Sequence, residues 1–167
     1  MMQVKNENHR LSHRHCAGCI VDPYFFNILY AGKNEPEISE ARLSAYFLAF
    51  CGAVLGGLTV VLGAFGAHAL KAVLDSNDIK IWEKAVFYQA FHSLVLLVLP
   101  GYAKMMSQQD INIFGFTIIL GTLLFSGSLY LFAITGKKYF ATITPIGGIT
   151  FLAGWVWLAA SLFEASF

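Results

Sequence analysis

Four stretches of this 167-residue chain contain no Asp, Glu, Lys or Arg: 43–70, 85–103, 111–136 and 139–163. They run 28, 19, 26 and 25 residues, and all 11 basic and 10 acidic side chains lie outside them. A helix needs about 20 apolar residues to cross the hydrocarbon core of a bilayer. Helices also satisfy their own backbone hydrogen bonds, which lipid cannot do. The pattern therefore predicts an all-α integral membrane bundle of four transmembrane helices. Composition agrees, with 57% hydrophobic and 13% charged residues and a mean hydropathy of +0.62. Soluble domains carry about 25% charge, so a water-facing surface could hardly be covered here. The expected organisation is a flexible or surface-associated N-terminal tail over 1–42, a transmembrane domain over 43–163 and a short C-terminal end, 164–167.

Several function classes drop out. A net charge of +1 without a basic cluster offers no footprint for nucleic acid. The phosphate-loop, zinc-protease and nucleophile-elbow signatures are missing. Three cysteines make no disulfide framework, and Cys51 falls inside the first run, where a small buried thiol is the default. No carboxylate lies in any run to act as acid or base. The chain is accordingly read as a non-enzyme without cofactor or metal. The tail holds His9, His13, His15, Cys16 and Cys19 and one apolar island, Tyr24 to Tyr30. His13-x-His15-Cys16-x-x-Cys19 has half of a soft-metal pattern, but adjacent histidines make a cramped second half, and chance is the favoured account. The first run starts too late and runs too long for a signal peptide, although Ala67-His68-Ala69 mimics a cleavage site.

Small residues dominate the first run: Gly52, Gly56, Gly57, Gly63 and Gly66, with Ala45, Ala49 and Ala53. Close backbone approach supplies much of the association energy between helices in lipid. Gly52-x-x-x-Gly56 is thus a packing face, directed at another helix of the chain or at a second protomer. The Gly147-Gly148 pair reads as a further close-packing point. Between the runs, Asp75, Ser76, Asn77 and Asp78 are helix-start residues and suggest a short interfacial helix, with Trp82 at headgroup level. Pro100-Gly101 closes the second run, and Gly136-Lys137-Lys138 makes a tight turn. Thr144-Pro145 marks the start of the fourth helix's core. Trp155 and Trp157 suit the opposite interface or a helix contact. Lys71, Lys80, Lys84, Lys137 and Lys138 against Lys33, Arg42 and Lys104 place the first and third loops in the cytoplasm. Adding the distant Lys5, Arg10 and Arg14 reverses that balance.

His68, Tyr88, Gln89 and His92 form the candidate functional cluster. Antiparallel neighbours bring the end of the first helix near the start of the second. Tyr88, Gln89 and His92 share a helical face by their three- and four-residue spacing. Polar groups at membrane depth mark either a pathway or an interhelical hydrogen bond, and both remain open. Ser126, Ser128, Tyr130, Thr135, Thr142, Thr144 and Thr150 fit bonding to their own helix backbone or to a neighbour.

Four local strings carry a resemblance. They are Gly63-Ala64-Phe65-Gly66-Ala67-His68-Ala69-Leu70, Trp82-x-x-Ala85-x-x-Tyr88-Gln89-x-x-His92, Leu124-Phe125-Ser126-Gly127-Ser128-Leu129-Tyr130, and Thr144-Pro145-Ile146-Gly147-Gly148 with Gly154-Trp155. In this order and spacing the chain resembles the YgdD-like family of small bacterial inner-membrane proteins over about residues 44–163. That family's domain, of unknown function, is shared with a eukaryotic small transmembrane protein family. The resemblance implies a four-helix, multi-pass inner-membrane protein with no established activity. Family members usually begin close to the first helix, so residues 1–42 are either a lineage-specific tail or the result of a start codon placed too early. Two functional readings follow. One is a non-enzymatic scaffold or accessory subunit, held in the lipid bilayer as a homo-oligomer or with a membrane protein partner. The other is a small oligomeric carrier or channel using the His/Gln cluster between the first two helices.

Overall fold

Each uncharged run becomes one long helix. A computed structural model describes residues 36–166. The helices are α1, Pro36–His68, then α2, Ser76–Tyr102, α3, Gln108–Thr135, and α4, Lys138–Glu164. A single 3-10 turn, Leu70–Ala72, follows α1. All four helices are long and apolar enough to cross a membrane, and no strand occurs among the described residues. The His13–Cys19 pattern lies outside those residues. Helix α1 begins ahead of the uncharged run, at a proline, whose fixed φ suits a first helical position. Its 33 residues span roughly 50 Å at 1.5 Å per residue, more than a hydrocarbon core requires.

The connectors follow local chemistry. Asp75 caps α2 by accepting from the backbone N–H groups of Asn77 and Asp78, which satisfies two orphan donors of the first turn. The helix then continues unbroken into the span, so the separate interfacial helix expected there is absent. Ser107 caps α3 through the Asp110 N–H. Gly136 ends α3 at φ 65°, a left-handed position that glycine adopts without a Cβ clash. Pro145 lies inside α4 rather than at its start, because the helix already begins at Lys138 beyond the glycine stop.

Packing is uneven. Helices α1, α2 and α3 contact one another, whereas α4 packs on α3 alone; no Cα of α4 lies within 8 Å of α1 or α2. The glycine face of α1 meets α2 of the same chain. A Cβ on Gly52 would sit 2.8 Å from both the Leu96 Cβ and the Ser93 carbonyl oxygen, and one on Gly56 3.4 Å from the Ser93 Oγ. Gly66 makes room for the Trp82 indole, and Gly63 faces Val86 more loosely at 3.6 Å. At the α3–α4 seam, Gly147 lies against the Phe125 backbone, Gly121 under the Phe151 ring and Gly154 beside Thr117. Gly148 has only the Phe125 ring edge, 3.8 Å away, so it is not a tight contact. Gly115, seated against Leu48, is a packing point with no flanking small-residue pattern to announce it. The outward faces keep large apolar side chains such as Phe50, Val60, Phe87 and Ile149 exposed, as lipid-facing helices must.

Candidate functional site

The inward face of α2 carries the polar residues. Trp82, Ala85, Gln89, His92, Ser93, Leu96 and Leu99 are all buried at alternating three- and four-residue steps, the period of one helix face. Gln89 is 4% exposed and ties three helices together. Its Nε2 donates to the Leu55 carbonyl on α1 at 2.9 Å, and its Oε1 accepts from the Tyr130 hydroxyl on α3 at 3.1 Å. One turn earlier, the Trp82 indole N–H donates to the Leu62 carbonyl at 2.9 Å, with its ring 4.5 Å from that of Tyr130. Trp82 is therefore a buried helix contact, not the headgroup anchor expected from its place at the start of the run. The gap left by Gly66 draws the indole inward.

His92 serves another pair of helices. Its Nδ1 lies 2.8 Å from the Tyr88 carbonyl, which can only accept, so Nδ1 carries the proton. Nε2 is then free to accept the Trp155 indole N–H from α4 at 3.4 Å. The imidazole lies flat on Phe151, with centroids 3.6 Å apart and planes 4° from parallel. This stack bridges α2 and α4 where their backbones do not meet. The ring of Tyr88 is half exposed and packs on Phe125 at 4.5 Å.

The four candidate residues do not form one cluster. Gln89 points to α1 and α3, His92 and Tyr88 to α3 and α4, and His68 is exposed at the end of α1 without a hydrogen bond or ring contact to them. Tyr130, Phe151 and Trp155 complete the site. Tyr130 was visible as a polar residue of the third run, but its distance in sequence from Gln89 hid the pairing. Ser128 and Thr144 join α3 to α4 through a 2.8 Å hydroxyl–hydroxyl bond. Ser126 Oγ, by contrast, is buried with no hydrogen-bond partner. Among the described residues, no three His, Cys, Asp or Glu side chains converge as a metal shell would.

A family described as a protein of unknown function, DUF423, matches residues 62–148. The UPF0382 membrane protein of Staphylococcus haemolyticus (strain JCSC1435) is 42% identical over 113 residues, 68% of this chain and 92% of that protein. The UPF0382 inner membrane protein YgdD of Escherichia coli (strain K12) is 39% identical over 117 residues, 68% of this chain and 86% of YgdD. The chain belongs to the DUF423 family. It is a small multi-pass protein of the bacterial inner membrane. The stretch matched to DUF423 contains Trp82, Tyr88, Gln89, His92 and Tyr130, while Phe151 and Trp155 fall just beyond it. No solved structure matches the chain.

Proposed function

We propose that this DUF423 protein is a non-enzymatic scaffold or accessory subunit of the inner membrane. One observation carries the reading: the most polar groups of the bundle interior are already engaged in holding helices together. Both ends of the Gln89 amide and both ring nitrogens of His92 have partners within the chain. A carrier or relay would have to break these bonds to free a group for its cargo. The test is a stability and flux comparison on the same proteins. The reconstituted chain should pass protons, metal ions and small solutes no faster than protein-free vesicles. His92→Gln, which still donates and accepts, should melt near the parent, and His92→Leu should melt lower. A parental flux that disappears in both variants while they remain folded would overturn the scaffold reading in favour of a carrier.

A further inference from the structure

A groove opens between α2 and α4 because these helices are bridged by side chains alone. Tyr88 and Phe91 form one wall, Leu152 and Trp155 the other, and Phe125 and Gly148 lie below; the volume is about 410 Å³. That is within the range of sites for small organic molecules, ~300–1,000 Å³. Its rim residues Phe91 and Leu152 are 47% and 66% exposed, so the groove opens sideways into hydrocarbon.

The Tyr88 hydroxyl makes no hydrogen bond to any described residue, although every other polar side chain lining this groove has one. Residue 88 lies about 18 Å along α2 at ~1.5 Å per residue, near the middle of a hydrocarbon core ~30 Å thick. Water is not available at that depth, and a hydroxyl left unpaired there is unfavourable.

We infer that the groove binds a lipid-soluble quinone, its flat ring among the aromatic walls and one carbonyl oxygen accepting from Tyr88. An acyl chain offers no acceptor. Phospholipid ester carbonyls stay at the interface, roughly 15 Å from the midplane. An acceptor at mid-depth has to be carried by a molecule whose polar group itself dissolves in hydrocarbon. A planar ring also matches the offset and edge-on packing that aromatic side chains prefer. Gly148 leaves the floor open, since a Cβ there would meet only Phe125, at 3.8 Å. The inference concerns binding alone and does not depend on the scaffold reading.

The full chain in phosphatidylcholine nanodiscs, titrated with ubiquinone-1, should show saturable quenching of tryptophan fluorescence, because Trp155 lines the groove. Tyr88→Phe should raise the apparent Kd about tenfold, ~1.4 kcal/mol. Gly148→Leu should fill the floor and abolish the saturable component, with its melting temperature reported alongside. Quenching that rises linearly in the parent, as simple partition into the bilayer would give, overturns the inference. So does an unchanged Kd in Tyr88→Phe, a variant that keeps the ring and its packing. Displacement by hexadecane as effective as that by the quinone would assign the groove to acyl chains and overturn it as well.

Discussion

Gln89 and His92 are three residues apart on one helix, yet they hold different neighbours. Three residues turn a helix by about 300°, leaving the two side chains some 60° apart. In a bundle where α4 sits outside the α1–α2–α3 group, that angle separates one seam from another. Gln89→Leu should lower stability by ~1–3 kcal/mol, because it leaves the Tyr130 hydroxyl buried without an acceptor. Adding Tyr130→Phe to Gln89→Leu should recover part of that loss; thermal melts of the two single variants and the double variant, taken as a cycle, provide the check. Ser126 presents the opposite case. Its hydroxyl is buried without a partner, so Ser126→Ala should be neutral or stabilising in the same melts. Ser128→Ala should be destabilising by ~0.5–2 kcal/mol, since it removes the bridge to Thr144.

Among elements, α1 shows how one glycine-rich sequence divides into distinct faces. A Cβ on Gly52 would collide with α2, one on Gly56 would touch it, and one on Gly57 would meet nothing within 4 Å. Gly52→Ala should therefore cost ~1–3 kcal/mol as overpacking. Gly57→Ala should be neutral, or stabilising by up to ~1 kcal/mol through helix propensity. Unfolding midpoints in one detergent would rank the two, and equal values would place Gly52 away from the α2 contact. The motif Gly52-x-x-x-Gly56 was legible because the stripe repeats every four residues. Gly115 and Gly121 were not, since each stands alone among bulky residues and owes its role to Leu48 and Phe151 on other helices.

For the whole molecule, four spans put the two ends of the described bundle on the same side of the membrane. Reporter fusions after Phe167 and within Lys71–Lys84 should therefore report opposite compartments. Agreement between the two would contradict the number of crossings between them. The lysine balance around the short loops places Lys71–Lys84 in the cytoplasm, and the same fusions read that orientation independently of the fold. The exposed apolar belt of Phe50, Val60, Ile149 and Leu152 is what a bilayer solvates without cost.

The sequence by itself determined the class, the number of spans and most helix ends. Those depend on local quantities: an uncharged run of sufficient length, Asp75 and Ser107 before first turns, Gly136 after a last turn. Family membership was likewise legible in four short strings with fixed spacing. Only the tertiary structure decided which polar groups meet. In lipid the outward and inward faces of a helix are both apolar, so hydropathy does not say which way Trp82 or His92 points. Trp82 turns inward because Gly66 on another helix leaves it space, and His68 stays apart because no partner on α2 reaches it. The His92–Phe151 stack exists because α4 stands off from α2, and that offset is fixed by close contacts of Gly121, Gly147 and Gly154 with residues far away along the chain.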